Sequence, residues 1–234
     1  MSTHLAPAPA PAASAPFIKR HPWIFFAVAG LVLLTLMRIV CGGRELGKLA
    51  PLGVVPDFSL VDQHGKAFGS ADLKGSPYIA SFFFTSCKKE CPAIMQANAR
   101  VLAGLQKAGV ADKVHLVSFS VDPEYDTPEV LRDYALDYPI DGVTWRLLTG
   151  SRVTLQQIIV GKSDKAIDGE VLQSGFATAW GGRQATGGLV TIAHAARLVL
   201  VDGEGRIRHY FDANVTEDLD NLVLHAADLT KGGK

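Results

Sequence analysis

The chain has 234 residues, of which 48% are hydrophobic and 20% are charged, so it can build one substantial core and does not require two. Lysine plus arginine equals aspartate plus glutamate at 23 each, so the bulk charge favours neither nucleic acid nor an anionic surface as a partner. We therefore expect no nucleic-acid partner, and any function must come from a local site.

The amino end differs in composition from the rest of the chain. Residues 1–18 are rich in alanine and proline, and we expect a disordered tail because they cannot bury enough surface to offset the entropy of ordering. Residues 19–43 contain an uncharged run at 23–37 with positive residues before it, and we expect one membrane anchor there. A cleaved signal peptide is the alternative. Residues 44–53 are expected to be a linker.

The positive residues before the run predict that the amino end faces the cytoplasm. We therefore expect a single-pass protein of the cell inner membrane, with residues from about 44 onward facing the periplasm or the extracytoplasmic side, where disulfides persist. Cys41 follows the run, but Arg38, Ile39 and Val40 before it lack the small side chains that lipid attachment prefers. We expect no role for Cys41.

Elements of the soluble part, residues 54–231, alternate along the chain. Residues 56–75 predict two short strands joined by a turn at His64 and Gly65. Residues 78–86 are apolar on both faces, as in a central strand covered by helices. Pro92 fits the first turn of the helix that follows, and Gly109 ends it.

The later segments continue this alternation. They predict a buried strand at 114–121, a helix at 126–138 capped by Asp126, a strand at 143–148, a helix at 151–160, a hairpin at 196–212 and a helix from Thr216. Residues 161–190 have little periodicity and are expected to form an insertion loop. This order predicts an α/β fold with a thioredoxin-like central sheet and flanking helices.

Two of the three cysteines, Cys87 and Cys91, lie between the central strand and the helix that contains Pro92. The carboxyl edge of a parallel sheet is where open α/β folds build sites. We expect Cys91 at the helix cap, where the dipole and the nearby Lys88 and Lys89 lower thiol pKa values. The spacing suits a reactive disulfide or two ligands of one metal. The third interpretation is a disulfide with a purely structural role.

Three motifs resemble the Sco/SenC family: TSCKKECP, and the stretches at 117–135 and 192–212. The resemblance implies a thioredoxin-fold copper protein with an N-terminal anchor. Family members deliver copper to the binuclear copper site of cytochrome c oxidase, or reduce the cysteines that receive it. It further implies that Cys87, Cys91 and His194 bind copper, Cu(I) or Cu(II), with Cys87 and Cys91 also a redox pair. The implied partners are the oxidase subunit with that site, and other periplasmic copper or thiol proteins.

The donor set agrees with copper, because two thiolates suit Cu(I) and an added imidazole accommodates Cu(II). Two departures from the family pattern matter: Lys88 stands where proline is usual, and Ala193 stands where an acid precedes the histidine. Both departures favour thiol exchange over copper binding. A thiol–disulfide oxidoreductase without stable copper is therefore the alternative function. A peroxidase is disfavoured because it needs one activated cysteine and no second. Asp122 and Asp126 are expected to serve turn and cap chemistry.

Overall fold

The computed structural model describes residues 22–41, 49–160, 165–167, 170–174, 176 and 196–232. The chain divides into two compact units, residues 1–45 and 46–234. In the first unit, helix α1 spans Pro22–Cys41. Among the described residues, no helix combines the length and the apolarity that a membrane crossing requires. The predicted tail at 1–18 lies outside the described residues.

The second unit alternates strands and helices as the sequence predicts. Its elements in chain order are β1 (Gly53–Val54), β2 (Ser59–Asp62), β3 (Ala67–Gly69), a 3₁₀ helix (Ser70–Leu73), β4 (Tyr78–Phe83), α2 (Glu90–Lys107), β5 (His115–Ser120), α3 (Pro128–Ala135), β6 (Trp145–Thr149), α4 (Arg152–Val160), β7 (Lys165–Ile167), β8 (Glu170–Ser174), β9 (Arg197–Val201), β10 (Arg206–Asp212) and α5 (Thr216–Leu229).

One sheet connects these strands in the order β3-β2-β6-β5-β4-β9-β10-β1-β8-β7. The centre is parallel, with β4 pairing to β5 and β5 to β6, and β9 pairs antiparallel to β4. Phe83 at the end of β4 is the register partner of Ser120 at the end of β5. This parallel centre with an antiparallel hairpin beside it confirms the predicted thioredoxin-like α/β sheet.

Strand β4 is covered on both faces because its side chains alternate between two hydrophobic clusters. Ile79 and Phe83 belong to the cluster that includes α2 and α5 residues, whereas Tyr78 and Ala80 belong to the cluster on the α4 side. All four side chains are buried. The continuous apolar run therefore reflects a strand with no solvent face, as predicted.

Two expectations are wrong. The sequence predicts a loop at 161–190, but β7 and β8 lie within it, pair antiparallel with each other, and join the sheet through a parallel pairing of β8 with β1. Apart from these two strands and Phe176, the predicted loop lies outside the described residues. Helix α3 is capped by Thr127, whose hydroxyl accepts a hydrogen bond from the N–H of Val130, and not by Asp126. Asp126 is buried and accepts hydrogen bonds from Thr85 and Ser120 instead.

Candidate functional site

Both cysteines of the pair lie at the carboxyl edge of the sheet, in the segment that joins β4 to α2. The chain leaves the sheet after Phe83, whose carbonyl accepts a hydrogen bond from the N–H of Val121, and reaches Cys87 four residues later. Helix α2 begins at Glu90, so Cys91 lies in its first turn. The site is therefore at the edge that the sequence predicts.

Cys91 is not the helix cap, contrary to the sequence prediction. Lys89 occupies the cap position, and its side chain makes no capping hydrogen bond. Proline is tolerated throughout the first turn because N–H groups there have no intrahelical acceptor. The helix can therefore begin two residues before Pro92, which places Cys91 inside it.

The sulfur of Cys87 is in contact with the backbone of Cys91. The backbone N–H of Cys91 donates a hydrogen bond to Sγ of Cys87 at 3.3 Å. The Cys87 thiol also lies 3.9 Å from Oε2 of Glu90. Cys87 and Cys91 are free thiols, with 9% and 4% of their surface exposed. Helix α2 thus presents an N–H of its first turn to the sulfur of the preceding loop.

Hydrogen bonds make Cys87 the more acidic thiol. Burial alone would raise the pKa of Cys87. The Cys91 thiol and the backbone N–H groups of Cys91, Lys89 and Glu90 donate to its sulfur, and together they lower the pKa below its ordinary value. Unpaired N–H groups at a helix start therefore lower the thiol pKa of Cys87, whereas the sequence predicts this effect for Cys91.

Cys91 has the opposite shift, so the expectation that its position lowers its own pKa is wrong. Burial raises the pKa of Cys91 well above its ordinary value, and its hydrogen bond to Cys87 raises it further. The negative charges of Cys87 and Glu90 act in the same direction. The helix start that favours a thiolate is thus occupied by the sulfur of Cys87, and Cys91 keeps its proton.

The aromatic rings of Phe83 and Tyr134 lie beside the cysteines, and this pair is not predicted from the sequence. The ring of Tyr134, from α3, stacks on Phe83 with centroids 5.5 Å apart, and its hydroxyl lies 3.4 Å from the hydroxyl of Tyr138. Burial raises the pKa of Tyr134, and the charges of Cys91 and Cys87 contribute to that rise. The available signal is the four-residue spacing of two tyrosines in the helix predicted at 126–138, of which only Tyr134 lies within α3.

The predicted third ligand, His194, lies outside the described residues, as does Ala193. Within the described part of the chain, no group of three or more histidine, cysteine or acidic side chains is placed to hold a metal ion. The structure therefore brings together Cys87 and Cys91 and leaves His194 as a prediction. Two buried free thiols on adjoining turns are a soft donor pair, and they fit Cu(I).

A profile of the SCO1/SenC family matches residues 48–223. The chain belongs to the SCO1/SenC family. The SCO1 protein homolog of Bacillus subtilis is 38% identical over 139 residues, which cover 59% of this chain and 69% of that protein. Both sequence and fold thus agree with the resemblance found in the three motifs.

Solved structures of SCO1/SenC proteins match most of this chain. A SCO1/SenC family lipoprotein from Bacillus anthracis is 26% identical with a TM-score of 0.63, and the match covers 78% of this chain and 99% of that one. Bradyrhizobium japonicum ScoI, solved with copper bound, is 28% identical with a TM-score of 0.53, covering 76% of this chain and 98% of that one. This SCO1/SenC chain therefore has the fold of its family.

Proposed function

We propose that this SCO1/SenC protein is a membrane-anchored copper chaperone for cytochrome c oxidase. It delivers copper to the binuclear copper site of the oxidase, or reduces the cysteines that receive it. The observation that carries the proposal is the free pair Cys87 and Cys91, buried at the carboxyl edge of the sheet with the N–H of Cys91 directed at Sγ of Cys87. The similarity to ScoI, solved with copper bound, supports the metal.

Copper is held by Cys87, Cys91 and His194 in this proposal. Soft thiolates select Cu(I), and a neutral imidazole completes a site that also accepts Cu(II). Hydrogen bonds lower the pKa of Cys87, which favours the thiolate that would bind the metal. Cys91 loses its proton on binding, so copper uptake releases protons and weakens as the pH falls.

The alternative, a thiol–disulfide oxidoreductase without stable copper, is favoured by the unequal acidity of the two thiols. A thiolate next to a protonated partner is the arrangement in which one sulfur attacks and the second resolves the mixed disulfide. Cys87 is the attacking sulfur because its pKa is lowered, and Cys91 resolves. Both functions use the same two sulfurs, so metal retention distinguishes them.

Copper stoichiometry tests the chaperone proposal. The full chain in detergent is loaded with Cu(I) without oxygen, dialysed against a modest Cu(I) chelator, and assayed for copper. We expect one copper per chain, lost in Cys87→Ser and Cys91→Ser and weakened in His194→Ala. Cys41→Ser and His209→Ala are matched controls that keep the metal. A wild-type chain that retains no copper overturns the chaperone function and leaves the oxidoreductase.

The anchor and the partner are proposed from the sequence and the family. The uncharged run at 23–37 supports single-pass insertion in the cell inner membrane, with the second unit on the periplasmic side. Alkaline carbonate extraction of host membranes should leave the full chain in the membrane fraction and release a chain that starts at residue 44. Deleting the gene should lower oxidase activity, with recovery by wild type and no recovery by Cys87→Ser.

A further inference from the structure

Asp126 is a buried carboxylate that ties together the two loops at the site edge of the sheet. Its side chain is 0% exposed. The hydroxyl of Ser120 donates to Oδ2 at 2.5 Å, and the hydroxyl of Thr85 donates to Oδ1. The backbone N–H of Thr85 lies 3.3 Å from both carboxylate oxygens. Its partners are thus a hydroxyl at the end of β5 and two groups in the loop after β4.

The turn after β5 places this carboxylate in contact with the loop after β4. The N–H of Asp126 donates to the carbonyl of Asp122 at 2.9 Å, which folds the turn. At the end of the two strands, Phe83 of β4 and Ser120 of β5 are register partners. Asp126 therefore extends the connection between β4 and β5 past the point where their ladder ends.

The connection leads directly to the thiol of Cys87. Thr85 stands two residues before Cys87, and the N–H of Cys87 donates to the carbonyl of Phe84 at 3.2 Å, which closes a tight turn between them. The position of Cys87 relative to the N–H of Cys91 is thus set from two sides, by α2 and by the loop that Asp126 holds. A carboxylate is costly to bury, and burial raises the pKa of Asp126.

We propose that Asp126 is a positioning residue for Cys87: through Thr85 it holds the loop so that Sγ of Cys87 stays within hydrogen-bonding distance of the Cys91 N–H, and it thereby favours the reduced form of the pair. In the disulfide a covalent bond fixes the distance between the two sulfurs, whereas in the reduced pair the position of the Cys87 sulfur depends on the loop and on the hydrogen bond from the Cys91 N–H. Loosening the loop therefore destabilises the reduced pair more than the disulfide.

The reaction that reports this effect is oxidation by glutathione disulfide. The Cys87 thiolate attacks one glutathione sulfur, forms a mixed disulfide and releases the first glutathione thiolate. Cys91 then gives its proton to solvent, and its sulfur attacks that of Cys87 and releases the second glutathione. The pair loses two electrons, glutathione disulfide gains them, and two glutathione thiols result. A less stable reduced pair raises the equilibrium constant of this reaction.

The experiment measures that constant for the full chain in glutathione redox buffers, in a Cys41→Ser background so that only the pair titrates. Thr85→Val removes the hydroxyl at nearly constant shape, and Asp126→Asn removes the charge. We expect each to raise the constant about threefold or more, since part of the hydrogen bond from the Cys91 N–H to the free sulfur of Cys87 is lost. Thr85→Ser keeps a hydroxyl and should restore the wild-type constant.

Asp62→Asn is the matched control. Asp62 is also a buried carboxylate, and its Oδ1 accepts two backbone N–H groups, but it holds the turn between β2 and β3. We expect it to lower the melting temperature without changing the constant. If Asp126→Asn fails to fold, Thr85→Val decides. Folded Thr85→Val with the wild-type constant, or a shift equal to that of Asp62→Asn, overturns the inference.

This inference rests on the proposed function only in taking Cys87 and Cys91 as the working pair. The glutathione measurement contains no copper. A chain that fails to retain copper therefore overturns the chaperone function and leaves the role of Asp126 standing. An unchanged constant in the Thr85 and Asp126 variants removes that role and leaves copper binding untouched.

Discussion

The backbone N–H of Cys91 donates a hydrogen bond to Sγ of Cys87 at 3.3 Å, and this contact makes two thiols of one motif chemically unequal. The sulfur that receives the N–H groups of the helix start has a lowered pKa, whereas the sulfur inside the helix has a raised pKa. A symmetric description of the cysteine pair therefore does not fit the site. Reactivity should differ between the two cysteines.

Alkylation should show that Cys87 is the reactive thiol. In the Cys41→Ser background, we compare Cys87 in a Cys91→Ser chain with Cys91 in a Cys87→Ser chain. The thiolate reacts with iodoacetamide, so the rate rises with pH and levels off above the thiol pKa. We expect the midpoint for Cys87 to lie below that of an unperturbed thiol, and that for Cys91 to lie above it. Equal midpoints would contradict the asymmetry.

Alkaline conditions should destabilise the reduced protein through Cys91. A folded-state pKa that is raised means that the folded chain keeps a proton that the unfolded chain loses, so stability falls as the pH rises above the unfolded value. Cys87 acts with the opposite sign, because its lowered pKa adds stability that is complete above the unfolded value and is lost as the pH falls through the folded one. Urea unfolding between pH 7 and 9.5 measures both.

The variant Cys91→Ser isolates the first of these effects. We expect the wild type to lose free energy of unfolding relative to Cys91→Ser by up to about 1.4 kcal/mol per pH unit above the unfolded thiol pKa. Below that pKa the difference between the two chains should stay constant. A difference that stays constant across the whole pH range would mean that the Cys91 thiol titrates in the folded state as it does in the unfolded chain.

Sequence reasoning found the site because its signals are local. An apolar run without a polar face predicts a central strand, and Pro92 predicts a helix start, so the edge position of Cys87 followed from order alone. The acidity of each thiol did not follow. It depends on which sulfur receives the N–H groups and on how deeply Cys91 is buried, and both are set by the packing of α2 on the sheet.

Two further predictions fail for different reasons. Asp126 precedes Thr127 and Pro128, so it matches a cap pattern, yet its carboxylate turns towards Thr85, 41 residues earlier. Such a contact exists only after β4 and β5 are paired. The hairpin of β7 and β8 is different, because Asp168-Gly169 stands between the two segments and is a known two-residue turn signal. The glycines at 181–182 and 187–188 and the lack of periodicity nevertheless favour a loop when the sequence is taken alone.

Restoring an acid before the predicted histidine should tighten copper binding. The family pattern has an acidic residue where this chain has Ala193, and the loss of such a partner can cost about 10- to 100-fold in metal affinity. We expect Ala193→Asp to gain part of that factor in a Cu(I) competition with a chromophoric chelator. Ala195→Asp adds the same charge on the other side of His194. An equal gain in both variants would point to net charge and not to a placed partner.

Contact between α2 and α5 should govern the stability of the helix that carries Cys91. A Cβ atom added at Gly104 of α2 would lie 2.8 Å from Cγ2 of Val223 in α5, closer than packing allows. Valine is stiff at its first side-chain torsion, so it cannot easily turn away. We therefore expect Gly104→Ala to lower the free energy of unfolding by about 1 kcal/mol or more, as overpacking does.

The double variant decides whether that cost comes from this one contact. Alanine in a helix interior is otherwise better than glycine by about 0.5–1 kcal/mol. In a Val223→Ala background the steric obstacle is gone, so Gly104→Ala should become stabilising. Urea unfolding of the four chains measures the coupling directly. If Gly104→Ala destabilises both backgrounds equally, the close approach of the helices depends on other contacts. The requirement for glycine at position 104 would then not come from Val223.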